Sequence, residues 1–239
     1  MACIVNIDTS TKVCSVALVR NGEILFSKED TTSAQHASLL GVFVAEAMEF
    51  AGTNDLKPDA VAVGSGPGSY TGLRIGVSEA KGLCYGLNIP LIAIPTLQIL
   101  LDTAICTRPD IFENEPVADF YCPMIDARRM EVYTAVYDRQ YRISRDISAD
   151  IIDENSFSDY LSKGKVVFFG DGSGKCKPVI KSPDALFLDD VVPLASCMGF
   201  SSEKAYEKKR FEDIAYFEPF YLKEFMATIA KNKVLGDIR

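Results

Sequence analysis

A chain of 239 residues can form one large domain or two small ones around a sizeable core. Its formal charge of −8 argues against gripping nucleic acid unaided, since such proteins carry a basic footprint. Seven cysteines, an odd number with no C-x-x-C, argue against a disulfide framework or zinc cluster and for reduced thiols in a cytoplasmic protein. The first residues lead straight into a strand pattern, and no run approaches the ~20 apolar residues of a membrane span, so neither a signal peptide nor a membrane anchor is expected.

In chain order, Cys3–Asp8, Val13–Arg20 and Glu23–Asp30 read as three strands, the last two joined by the hairpin signal Asn21-Gly22. Ser33–Ala51 reads as a helix with Leu39, Leu40, Phe43, Val44, Ala47, Phe50 and Ala51 toward the core and Gly52 closing it. Ala60–Val63 is a short apolar run of the kind buried in parallel sheets. Gly64, Gly66 and Gly68 around Pro67 then make a tight turn, and Ser69 or Thr71 caps a second helix. Gly72, Gly76, Gly82 and Gly86 lie in that helix, each costing roughly 1 kcal/mol against alanine. Gly72, Gly76 and Ala80 at i, i+4, i+8 form a flat stripe, suited either to close packing within the domain or to an interface. Leu91–Ile94 and a helix from Thr96 to Thr107 complete the first half.

The charged, proline-bearing stretch Thr107–Asp119 is the expected boundary, giving lobes at 1–107 and 108–239. The second half offers strands at Phe120–Asp126, Glu131–Tyr137, Arg142–Asp150, Val166–Phe169 and Leu186–Leu188. Its helices are expected at Ser156–Ser162 and Pro193–Lys208, and the tail 216–239 adds a strand or packs back on the first lobe. Two echoes suggest duplication. Ile7-Asp8 matches Ile125-Asp126, and the turn at Gly64, Gly66 and Gly68 matches that at Gly170, Gly172 and Gly174.

Most catalytic motifs fail. Gly174-Lys175 lacks the earlier glycine of a P-loop, Ser69 replaces the last glycine of a dinucleotide fingerprint, and Pro67 replaces the first glycine of a nucleophile elbow. The single histidine, His36, rules out a His-His metal pair and is expected to pack or hydrogen-bond at a helix start. Asp8, Thr9 and Ser10, with Gly66, Gly68 and Ser69, could form a loop that holds a phosphate, nucleotide or metal, or could simply satisfy their own backbone. Arg128 and Arg129 after Asp126 could be solvated or paired with acids.

Several segments resemble the TsaB (YeaZ) family of tRNA threonylcarbamoyladenosine biosynthesis proteins. They are Ile4–Leu18, His36–Leu40, Asp59–Leu83, Asn88–Leu97, Met124–Tyr137 and Glu218–Lys223, and the run from Gly64 to Gly76 is the most specific. Ala37, Gly41 and Tyr70 depart from the usual pattern. The resemblance implies an α/β fold of the actin-like ATPase (ASKHA) type, with two RNase-H-like lobes of βββαβα core. It also implies a non-catalytic paralogue of TsaD, whose metal-binding histidine pair falls here on Thr96 and Leu100. Such a subunit would support formation of N6-threonylcarbamoyladenosine at position 37 of tRNAs reading codons that start with A.

TsaD and the ATPase TsaE are the implied partners, with tRNA met only through the complex. No catalytic residue, metal or cofactor is expected in the isolated chain. ATP or ADP at the complex interface, and a homodimer of the free chain, stay open. The expected interface comprises Ser38, Gly41, Val42, Ala45 and Met48 of the first helix and Gly72 and Gly76 of the second. The competing reading is an enzyme of the same fold, either a glycopeptidase-like hydrolase or a small-molecule kinase.

Overall fold

The computed structural model describes residues 2–32, 35–112 and 118–223. Three strands open the chain: β1 (Cys3–Asp8), β2 (Cys14–Arg20) and β3 (Glu23–Asp30). Helix α1 (His36–Thr53), β4 (Ala60–Gly66), α2 (Tyr70–Leu87), β5 (Leu91–Pro95) and α3 (Thr96–Thr107) follow. After the single turn α4 (Pro109–Phe112) come β6 (Phe120–Asp126), β7 (Glu131–Asp138), β8 (Ile143–Ile151), α5 (Ser158–Leu161) and β9 (Val166–Phe169). Helix α6 (Ser173–Cys176), β10 (Ala185–Leu188), a 3-10 turn (Ala195–Met198) and α7 (Gly199–Glu207) complete the described elements.

The strands make two five-stranded sheets, ordered β3-β2-β1-β4-β5 and β8-β7-β6-β9-β10. In each, the first three strands are antiparallel and the last two run parallel to the first. The two halves therefore share one topology, which is the two-lobed actin-like architecture. The second copy keeps its strands but reduces its helices α5 and α6 to four residues each.

Central strands β1 and β4 are buried along their whole length, so both faces of the first sheet are covered. Val5 and Ile7 point toward α1 and α2, where they meet Leu40, Val44, Val77 and Ala80. Ile4 points the other way, into a cluster with Ile99, Ala195, Met198 and Ala205. Helix α3 also serves the second sheet, packing Leu97, Leu100, Leu101 and Ala104 against Tyr121 and Phe169. It is thus wedged between the two sheets.

Strands of the first sheet fall within residues 3–95 and those of the second within 120–188. Residues 195–207 nevertheless pack on the first sheet. A division at 107/108 separates the sheets but not their covering layers.

Three local expectations are corrected. Gly52 does not close α1, which runs on to Thr53. The Thr53 Oγ1 and Asn54 Nδ2 groups donate to the carbonyls of Glu49 and Phe50, and Asp55 takes the left-handed conformation instead. The helix expected over Pro193–Lys208 begins only at Ala195, with a 3-10 first turn that runs on into α7 at Gly199, where an added Cβ would press on Val19. The helix expected at Ser156–Ser162 is one turn. The start expected for α1 at Ser33 lies outside the described residues, and the described helix begins at His36.

Candidate functional site

A cleft of about 1100 Å³ opens between the lobes. On one wall are the turn after β1 (Ser10, Thr11, Lys12), the start of α1 and the glycine turn that leads into α2. Facing them are the β6–β7 hairpin from Asp126 to Arg129, then Glu131, Tyr133 and Asp171. The rim is the tail segment Phe220–Lys223.

The glycine turn is built by backbone meeting backbone. The Ser69 N–H donates to the Ser10 carbonyl at 2.6 Å, and the Ser69 hydroxyl caps α2 by accepting from the Gly72 N–H at 3.2 Å. Thr9 Oγ1 donates to the Gly72 carbonyl at 2.7 Å. A side chain at Gly68 would strike the Ser10 carbonyl, at Gly72 the Thr9 carbonyl, and at Gly76 the Thr9 hydroxyl. This places Gly72 and Gly76 inside the lobe, both buried against the β1–β2 turn, and corrects their assignment to a partner interface. Their flat stripe exists because a neighbouring strand end occupies it.

Asp8 bonds within its own turn, the second of the two readings left open for it. It is fully buried, accepts from the Ser10 N–H and hydroxyl through Oδ2, and turns Oδ1 toward the Cα of Gly64 and the Ile99 side chain. Oδ1 has no hydrogen-bond partner, and burial pushes the carboxyl up to about 7 despite the two bonds from Ser10. Sealed beneath Gly64, it reaches no ligand in the cleft. Thr9 and Ser10 are buried with it, which leaves Ser69 exposed on the cleft wall.

The matching aspartate of the second lobe has the opposite fate. Asp126 is exposed and accepts from Lys175 and from the Arg128 N–H. Partial burial pushes its carboxyl up, but those bonds, with the charges of Lys175 and of Lys12 across the cleft, hold it below the usual range. Its own N–H donates to Asp171 Oδ1 at 3.0 Å, and burial raises the Asp171 carboxyl. Arg128 and Arg129, both with left-handed backbone, form the exposed hairpin tip on the cleft. His36 is buried at the other wall, its Nε2 2.9 Å from the Thr11 carbonyl; a carbonyl only accepts, so Nε2 carries the proton. This is the local hydrogen bond expected of it.

The tail reaches both lobes. The Phe220 N–H donates to the Ser65 carbonyl at 2.7 Å, and the Phe220 carbonyl fills the space where Gly66 lacks a side chain. Tyr221 packs on Tyr70 with ring centroids 4.8 Å apart. The Arg74 guanidinium lies 4.3 Å over Tyr70 and donates to the Tyr221 hydroxyl at 3.1 Å. Lys81 holds the Phe217 carbonyl, and Lys223 crosses to Glu131 of the second lobe. The described part of the tail, up to Lys223, therefore packs back on the first lobe and straps it to the second. Packing back on the first lobe was one of the two placements expected for the tail.

Helix α1 presents Ser38, Gly41, Val42 and Ala45 to solvent, with Val42 51% exposed and open space around Gly41. Met48 differs: it is half-buried and packs against the first core. Among the described residues no group of three or more His, Cys, Asp or Glu side chains is placed to hold a metal ion. No helix among them is long and apolar enough to cross a membrane.

The family model described as TsaD, tRNA N6-adenosine threonylcarbamoyltransferase, matches residues 28–167, more than half of the chain. The chain belongs to this family. Within it, several similar relatives carry the TsaB name. The Escherichia coli (strain K12) tRNA threonylcarbamoyladenosine biosynthesis protein TsaB is 35% identical over 136 residues, covering 57% of this chain and 55% of that protein. Its Bacillus subtilis (strain 168) counterpart is 34% identical over 147 residues, 58% and 56% of the two chains. The chain thus spans about half the length of the curated relatives it matches. A solved Pseudomonas aeruginosa protein, described as similar to the peptidase YeaZ, superposes with a TM-score of 0.75 at 26% identity over 93% of this chain and all of that one. The TsaB (YeaZ) resemblance and the actin-like fold are both borne out. Much of the family match lies on the first lobe, the half that carries α1, the glycine turn and α3.

Proposed function

We propose that this TsaB-family chain is a non-catalytic scaffold subunit for formation of N6-threonylcarbamoyladenosine on tRNA in the cytoplasm. It pairs with the catalytic paralogue TsaD, works with the ATPase TsaE, and meets tRNA only through that complex. The printed names of its relatives support the pathway. Thr96 and Leu100, which stand where the resemblance puts the histidine pair of TsaD, are fully buried and carry no metal-binding chemistry.

The observation that carries the reading is the outer face of α1. An ordinary surface helix turns one stripe to the core and a charged face to water. Here Leu40, Val44, Ala47 and Ala51 form the core stripe, yet Gly41, Val42 and Ala45 on the outside are small or apolar. Small residues let a partner helix approach closely and bury the exposed valine. ATP or ADP, in this reading, belongs at the complex interface.

The test is size-exclusion mass with and without the metal-bearing paralogue, for the native chain and for Gly41→Arg with Ala45→Arg. Circular dichroism should be unchanged in the variant, because both positions face solvent, while pairing should be lost as bulk and desolvated charge enter the contact. A folded double variant that still pairs would overturn the proposal.

A further inference from the structure

Helix α3 meets the returning segment 194–198 along one stripe, Ile99, Thr103 and Cys106, spaced i, i+4, i+7. Ile99 clusters with Ala195 and Met198, and the Thr103 hydroxyl accepts from the Leu194 N–H at 3.2 Å. At the end of the stripe the Cys106 thiol, exposed to solvent, neighbours the buried Cys197 thiol. Ser196 Oγ sits 3.9 Å from the Cys197 sulfur. The remaining cysteines, Cys3, Cys14, Cys84, Cys122 and Cys176, are all buried. Two sulfurs meet here with one of them open to water, and the function proposed above uses neither.

We propose that Cys106 and Cys197 are a redox modification site that closes to an intramolecular disulfide on exposure to hydrogen peroxide. Exposure makes Cys106 the thiol that reacts first. Its thiolate attacks one peroxide oxygen, the O–O bond breaks, and the departing hydroxide takes up a proton as water. The Cys197 sulfur then attacks the resulting sulfenic acid, the S–O bond breaks, and the oxygen leaves with the thiol proton as a second water. Each sulfur gives up one electron, and one peroxide becomes two waters. Burial, with the neighbouring Cys106, pushes the Cys197 thiol up, so Cys106 and not Cys197 attacks the peroxide. The bond pins the C-terminal end of α3, the helix wedged between the sheets, to the segment that covers the first sheet.

The experiment treats the full, reduced chain with hydrogen peroxide under native conditions. Free thiols are then counted by alkylation in denaturant, and the peptides are mapped by mass spectrometry. The expected result is a joint loss of two thiols from the starting seven, a linked Cys106–Cys197 peptide, and full recovery with dithiothreitol. Cys106→Ser, at an exposed position and with native circular dichroism, should keep all six thiols left from the native seven. Cys197→Ala should leave Cys106 to proceed to sulfinic acid. Oxidation confined to Cys106 in the native chain, a dimer linked through two Cys106 residues, or a bridge mapped elsewhere would overturn the proposal.

Discussion

Alanine at Gly72 and alanine at Gly82 make the same chemical change in the same helix, and the structure assigns them opposite signs. Helix propensity alone favours alanine at both, by about 1 kcal/mol. At Gly82 a new Cβ meets nothing within 4 Å, so the variant should keep most of that gain. At Gly72 the Cβ would sit inside the 3.0 Å that real Cβ atoms do not breach, and the atom it strikes is the Thr9 carbonyl oxygen. A carbonyl cannot swing aside as a side chain can. Moving it strains the β1–β2 turn and the bond from Thr9 Oγ1 to the Gly72 carbonyl. Overpacking of this kind costs roughly 1–3 kcal/mol, which cancels or exceeds the propensity gain of about 1 kcal/mol, so a net loss of up to about 2 kcal/mol is expected. Urea denaturation of the native chain and both variants, followed by circular dichroism, measures the difference. A Gly72→Ala chain as stable as Gly82→Ala would mean that the stripe is not packed on Thr9, and the interface assignment of Gly72 and Gly76 would return.

Three further outcomes are expected. Asp8→Asn should stabilise the chain relative to native by a growing margin as pH rises from about 4 to 7, levelling above that, because the folded carboxyl is raised to about 7 from 3.8 and native stability is lost across that window. The gain should be on the order of a few kcal/mol, and equal pH profiles in thermal melts would refute it. Tyr221→Ala should leave the sheets intact but free the strap, since it removes the Tyr70 packing and the Arg74 bond. Limited proteolysis should then cut between 209 and 223 faster than in the native chain. The isolated chain, at −8, should not bind tRNA with sub-micromolar affinity at physiological salt, as a filter-binding titration would show.

The strands were legible because their composition is dictated by burial: Ala60–Val63 and Val166–Phe169 are apolar runs, and both are covered on two faces. Asn21-Gly22 was legible for a local reason, since a tight hairpin needs two left-handed residues and these have φ of 56° and 73°. What the sequence could not reveal were contacts between distant segments. Gly72 and Gly76 advertise close approach, but Thr9 lies 63 residues before Gly72, so an interface and an internal joint look alike. Asp8 could be a ligand or part of a self-satisfied turn until Gly64 is seen to lie over it. The close approach of the late helix to Val19 at Gly199 spans 180 positions and is equally invisible locally. The strap shows the same limit, since Arg74 and Tyr221 meet across 147 positions.

The most direct test of the scaffold account is reconstitution of the tRNA modification from purified components. tRNA, ATP and an activated threonylcarbamoyl donor are incubated with the chain by itself, with TsaD and TsaE without it, and with all three proteins together. The account predicts modified adenosine at full rate only in the complete mixture and none from the chain by itself. Modified adenosine from the chain without TsaD would contradict it, as would an undiminished rate when the chain is left out.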